Sequence, residues 1–201
     1  MAKFIKFSPL ILTLVLLCGI SRSQNIDINL LHSINKNESA IGDKSFKFLT
    51  KTVTPISFGA PLGLFLTGWI NQDKTMQHNS YTVGGSVLIS SLISVGLKYS
   101  VNRTRPYVDY PYPFINKKTE EQTPSFPSGH TTAAFATATS LSLAYPKWYI
   151  VLPSYLWAGS VAYSRMYLGV HYPSDILGGI IIGVGSSFLV WKGQQWLEKK
   201  K

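Results

Sequence analysis

Five apolar stretches, Ile56–Ile70, Thr82–Leu97, Thr131–Tyr145, Tyr149–Tyr163 and Ile176–Trp191, dominate a chain of 201 residues. None alternates polar and apolar residues with period two, so all read as helices and not strands. Each mixes large aliphatic side chains with Gly, Ala, Ser or Thr, the small residues that let helix backbones approach closely within a membrane bundle. A spanning helix needs roughly 20 apolar residues, with a range of about 17–25, and several of these stretches fall at or below it. Length alone therefore leaves a soluble bundle and a membrane bundle both open. Number and composition favour the membrane. Five such segments exceed what one soluble core needs, and charged residues are only 14% of the chain, against about a quarter in typical soluble domains. Trp69, Trp148, Tyr149, Tyr163 and Trp191 stand at segment ends, where an interfacial belt would place them. The expected fold is an all-α, multi-pass helical bundle.

The N-terminal "MAKFIKFSPLILTLVLLCGISRSQ" has Lys3 and Lys6 before an apolar run from Leu10 to Ile20, then Ser21 and Ser23. That order reads as an export signal over residues 1–23, or as a first membrane helix, ahead of a single domain over 24–201. Cys18 is the only cysteine and lies inside this segment. Cleavage would leave no thiol to act as a nucleophile or to form a disulfide. Asn25–Thr54 is polar with scattered apolar residues and reads as one or two amphipathic helices on a surface. The formal charge is +10, but the basic residues sit singly, in pairs, or in the terminal "EKKK". This pattern suits an anionic ligand or an anionic membrane surface and no nucleic acid, and no zinc-finger, basic-zipper or RNA-binding signature is present.

The polar residues missing from the apolar stretches reappear at three junctions. In "KYSVNRTRP", Lys98 and Arg105 place two cations at a helix end, and arginine can grip a phosphate through its bidentate fork. In "PSFPSGHTTAAFA", Ser128 is a suitable N-cap and Gly129 and His130 open the next helix. Backbone N–H groups at such a terminus hold anions, and His130 titrates near neutrality and can move a proton. In "SRMYLGVHYPSD", Asp175 lies four residues after His171. A carboxylate bonded to one imidazole nitrogen fixes the tautomer and aims the other outward. So held, His171 is a candidate nucleophile toward phosphorus, with Arg165 a third cation for the transferring group.

Taken together, these segments resemble the type 2 phosphatidic acid phosphatase family, whose site is shared with vanadium haloperoxidases and bacterial class A acid phosphatases. The family pattern is a lysine separated by six residues from Arg-Pro, then Pro-Ser-Gly-His, then Ser-Arg, Gly, His and Asp at fixed spacing. It is met by Lys98, Arg105 and Pro106; by Pro127, Ser128, Gly129 and His130; and by Ser164, Arg165, Gly169, His171 and Asp175. At one chance in twenty per specified residue, the third motif alone would arise by accident in about one in ten thousand chains of this length. The resemblance runs from about Ile56 to Trp191.

That resemblance implies an enzyme with a phosphorylated lipid as substrate and the membrane as its setting. His171 would attack phosphorus, Asp175 would orient it, and His130 would protonate the leaving group and then activate water. Lys98, Arg105, Ser128, the Gly129 N–H and Arg165 would hold the phosphate oxygens. No metal and no other cofactor is implied. Candidate substrates are phosphatidic acid, phosphatidylglycerophosphate, undecaprenyl pyrophosphate and lipid A phosphate. Two alternatives share the motifs: a soluble exported acid phosphatase and a vanadate-dependent haloperoxidase. Counting crossings from an outward-leading first segment puts all three motifs on the outer face and "EKKK" in the cytoplasm. Substrate specificity is expected in the helix faces and in the segments Tyr107–Thr123 and Asn25–Thr54. His32, His78 and the pairs Lys117–Lys118 and Glu120–Glu121 read as solvated.

Overall fold

The computed structural model describes residues 26–37 and 39–199, so the N-terminal segment expected as a signal or first helix, with Cys18, lies outside the described residues. The described residues hold eight helices and no strand. Helix α1 covers residues 26–35. It is followed by α2 (Ala40–Lys51), α3 (Val53–Ile70), α4 (Lys74–Val101), the one-turn α5 (Pro106–Asp109), α6 (Gly129–Ala144), α7 (Trp148–Tyr167) and α8 (Pro173–Glu198). All five apolar stretches are helices, and α1 and α2 are the helices expected within Asn25–Thr54.

The long helices run alternately up and down. At one end the N-terminal part of α4 meets the C-terminal part of α8, where the His78 ring and the Glu198 carboxylate are 3.2 Å apart. At the other end lie the three motif junctions. Three segments, Ala40–Ile70, Lys74–Asp109 and Pro173–Glu198, are long and apolar enough to cross a membrane. Their outward faces carry large apolar side chains such as Phe58, Leu62, Leu88, Leu92, Ile181 and Leu189, a surface made for lipid and unsuited to water. Trp69, Trp148 and Tyr149 are exposed at helix ends, as expected of an interfacial belt.

Helix α6 is one of two stretches that fall short of that criterion, and its surroundings explain why. It packs against α3, α4, α7 and α8 and needs no lipid-compatible face of its own. Its buried side chains are small or hydroxylic, among them Thr131, Ala134, Thr137, Ala138 and Ser140. The hydroxyls return to their own helix: Ser140 Oγ donates to the Ala136 carbonyl at 2.7 Å and Thr137 Oγ1 to that of Ala133 at 2.8 Å, which satisfies them without water. Helix α8 crosses α6 through glycine. A Cβ at Gly183 would stand 2.5 Å from the Thr132 carbonyl oxygen, and one at Gly179 would stand 2.9 Å from that of Ser128. This is the small-residue spacing of four that permits backbone contact.

Candidate active site

Each junction is shaped by its own stop or start signal. Helix α4 ends where Asn102 turns left-handed (φ 48°) and returns its N–H to the Lys98 carbonyl at 2.9 Å. That cap leaves Lys98 in the last turn and frees Arg103 and Arg105 to turn back over the bundle. Between α7 and α8, Gly169 takes φ +72°, and a Cβ there would meet the Asn116 carbonyl at 2.5 Å. Only glycine fits this turn, which delivers His171 two residues later. Ser128 stands at the N-cap of α6, but its hydroxyl pairs with that of Thr131 at 2.9 Å and makes no backbone cap. The first N–H groups of α6 have no intrahelical acceptor, and Gly129 and His130 border a cavity of about 290 Å³.

Lys98, Arg105, Gly129, His130 and His171 all line that one cavity. The Arg105 fork is held from behind, with Nε on the Thr123 carbonyl at 2.7 Å and Nη1 on that of Val170 at 2.9 Å. The same Nη1 is 3.4 Å from His171 Nε2. Lys98 Nζ donates to the Pro124 carbonyl at 2.6 Å. Asp175 is fully buried behind His171, its Oδ2 lying 3.4 Å from His171 Nδ1. That carboxylate also accepts the Tyr172 N–H at 2.9 Å and the Ser125 hydroxyl. Nε2 is thus the nitrogen turned to the cavity. Ser128 is buried beside it and does not line it.

Arg165 is not among the residues that line the cavity but pairs with Glu121, which is. It is buried and donates to Thr50 Oγ1 at 2.7 Å and to the Glu121 carboxylate, and its Nε has no partner among the described residues. Glu121 also lies 3.6 Å from Arg105 and borders the cavity. The reading of Lys117–Lys118 and Glu120–Glu121 as solvated holds for half of them. Lys117 and Glu120 form an exposed pair at 2.8 Å. Lys118 is buried: it donates to the Asn37 carbonyl at 2.9 Å and lies over the Tyr167 ring at 3.8 Å. The loop is thereby pinned to the bundle with Glu121 turned inward. Nothing in the sequence separates Lys118 and Glu121 from their solvated neighbours.

Burial sets the ionisation of the imidazoles. It pushes His171 down to about 3, against the opposing hydrogen bond that the ring donates to Asp175, so the ring is neutral and Nε2 keeps its lone pair at ordinary pH. Burial and the adjoining Arg165 hold His130, just ahead of the apolar stretch 131–145, at about 4. Glu121 loses solvation too, but Arg165 and Arg105 outweigh that and keep its carboxyl below the usual range. It is an anion at neutral pH.

Comparison with known proteins adds family and fold. The PAP2 superfamily model matches residues 80–199. An undecaprenyl-diphosphatase of Sulfolobus acidocaldarius is 36% identical over 113 residues, covering 53% of this chain and 53% of that protein. A lipid A 1-phosphatase of Rhizobium johnstonii is 32% identical over 111 residues, 52% of this chain and 43% of the other. The chain spans about half the length of these curated relatives. Among solved structures, the transmembrane PAP2-type phosphatidylglycerolphosphate phosphatase of Bacillus subtilis aligns with a TM-score of 0.70 at 24% identity, covering 96% of this chain and 95% of that one. Aquifex aeolicus LpxE aligns with a TM-score of 0.69 at 24% identity over 83% of this chain and 95% of that one.

Proposed function

The chain belongs to the PAP2 superfamily, and from that premise we propose that it is a membrane phosphatase hydrolysing a lipid phosphomonoester or diphosphate through a phosphohistidine. One observation carries the reading. The cavity has a cationic end, with Lys98, Arg105 and the start of α6 around His171, and continues along the seam of α3 and α4 past Val53, Phe58 and Val87. A phosphate group fits the first end and an apolar chain the second. The undecaprenyl-diphosphatase, the lipid A 1-phosphatase and the phosphatidylglycerolphosphate phosphatase that it resembles are named for phosphorylated lipids of that kind.

His171 Nε2 attacks phosphorus, and the P–O bond to the leaving group breaks as His130 gives that oxygen a proton. His130, now neutral, takes a proton from water. The resulting hydroxide attacks phosphorus, the P–N bond breaks, and phosphate departs with His171 restored. Asp175 keeps the His171 proton on Nδ1 throughout. Lys98, Arg105, the Gly129 N–H and Arg165 offset charge on the equatorial oxygens, with Ser128 shaping the turn behind them. The alternating helices put these residues at one end of the bundle, and a crossing count from an outward-leading first segment supports the outer face for it.

Phosphate release measured with purified protein across a panel of lipid phosphates and diphosphates tests this. His171→Ala should abolish both turnover and an acid-labile, base-stable phosphoenzyme. His130→Ala should slow turnover by about 10²–10⁴-fold while leaving binding largely intact. Full activity in His171→Ala overturns the assignment.

A further inference from the structure

Asp175 uses its two oxygens in different directions. Oδ2 serves the His171 side. Oδ1 accepts a 2.7 Å bond from Arg103 Nη1, a charge-assisted contact of the strong kind. Arg103 is not part of the cavity wall. Its guanidinium lies on the Tyr172 ring, 3.9 Å from the centroid, and its Nη2 reaches Asp27 Oδ2 at 2.9 Å. Asp27 is buried on α1 and also accepts the Ser174 N–H at 2.8 Å and the Ser174 hydroxyl. A continuous chain Asp27–Arg103–Asp175–His171 therefore runs from α1 to the nucleophile. Asp27 lies outside the residues 80–199 that the family model matches.

Taking His171 as the nucleophile, we propose that Arg103 and Asp27 are positioning residues that set, through Asp175 and with opposite signs, the charge that His171 experiences. Two carboxylates and one guanidinium sum to a single negative charge, presented to Nδ1. The other charged and titratable groups facing His171 are Arg105 from the segment before α5, Arg165 from α7, His130 from α6, Lys98 from α4 and Glu121 from the loop. Those groups surround the cavity, whereas Arg103 and Asp27 sit behind Asp175. Replacing Arg103 by an uncharged residue leaves two buried carboxylates and draws a proton onto His171. Replacing Asp27 leaves the full charge of Arg103 on Asp175 and weakens its hold on the imidazole. A more basic His171 forms the P–N bond faster and releases phosphate more slowly; a less basic one does the reverse.

The test compares Arg103→Met, Asp27→Asn and the double variant with the full-length protein. The readouts are the acid limb of the pH–rate profile and the steady-state phosphoenzyme level after rapid quench. Arg103→Met should make His171 the group that sets the acid limb, moving it up by as much as about 2 pH units, and raise the phosphoenzyme level. Asp27→Asn should lower the phosphoenzyme level with no upward movement of the limb. The double variant, restoring one negative charge, should return toward wild type on both readouts. Arg103→Lys keeps the charge without the fork and should hold the acid limb in place even where kcat drops, which keeps the test open should Arg103→Met fail to fold. Shifts of the same sign in the two single variants, or a double variant worse than either, overturn the proposal alone. Absence of any wild-type phosphoenzyme removes the nucleophile assignment and the proposal with it.

Discussion

Glu121 is the residue whose position most alters how the cavity works. Its carboxylate faces Arg165 and Arg105, the groups that a phosphate would need, so an arriving anion must displace it or share them. Unit charges a few ångströms apart repel by on the order of 1–4 kcal/mol in partly screened surroundings. Glu121→Gln should therefore tighten inhibition by vanadate or inorganic phosphate by about tenfold, read from the inhibition constants; unchanged or weaker inhibition would place Glu121 outside the anion's path. The imidazoles predict a pH profile. Because His130 sits at about 4, it is neutral in the free enzyme at pH 7 and the catalytic proton arrives on the substrate. A phosphomonoester loses its second proton near pH 6. Above that both groups are deprotonated and kcat/KM should fall about tenfold per pH unit; below about 4 both are protonated and it falls again. His171, at about 3, does not limit the rate in this window. A kcat/KM maximum above pH 7.5 would contradict the assignment. Activity should also persist in excess chelator, and loss restored by magnesium would mean that the cations alone do not serve the phosphate.

At the scale of elements, the contact of α8 with α6 is the one that sequence substitutions can probe most sharply. Gly183 and Gly185 are two residues apart on α8 and face opposite ways. A Cβ at Gly183 meets the Thr132 carbonyl at 2.5 Å and the Ala136 nitrogen at 2.9 Å, whereas one at Gly185 meets nothing within 4 Å. Backbone cannot yield as a side-chain tip can, so Gly183→Ala should cost about 1–3 kcal/mol by overpacking. Gly185→Ala, on an open helix face, should be neutral or slightly stabilising. Thermal unfolding in one detergent distinguishes them, and equal melting temperatures would show that α8 does not cross α6 at backbone contact. Because α6 begins with Gly129 and His130, Gly183→Ala should also slow turnover beyond what its loss of stability explains.

For the whole molecule, the alternation of α3, α4, α6, α7 and α8 decides which segments share a side. All three motifs lie at one end, while the α3–α4 turn, the start of α7 at Lys147 and the end of α8 lie at the other. Basic residues stand at both ends, Lys74, Lys147, Lys192 and Lys199 at the second and Lys44, Lys47, Lys51, Lys98, Arg105 and Arg165 at the first, so charge bias does not choose between them and the outward-facing site is a proposal resting on the crossing count. Single cysteines introduced as Glu120→Cys and as Lys199→Cys in a Cys18→Ser background test this with an impermeant thiol reagent on intact cells. Labelling of the Glu120→Cys variant alone is expected. Labelling of the Lys199→Cys variant alone would invert the protein, and recovery of active protein without detergent would favour a soluble phosphatase.

The helical class, the five long helices and part of the cavity's lining were legible in the sequence, because each rests on local order. Hydrophobic periodicity, caps and short motif spacings are properties of a few adjacent residues, and Lys98, Arg105, Gly129, His130, His171 and Asp175 were found by them. What lay between distant segments was not legible. Arg103 stands two residues before Arg105 in the same junction, yet nothing in the string distinguishes an arginine that faces the cavity from one that turns behind Asp175. Asp27 is separated from Ser174 by 147 positions, and Thr50 from Arg165 by 115. Glu121 reads as a loop charge until Lys118, buried against Tyr167, turns the loop inward. The side chains that neutralise a buried charge are chosen by proximity in space, where desolvation makes an unpaired ion costly. Proximity across such separations exists only once the helices have packed.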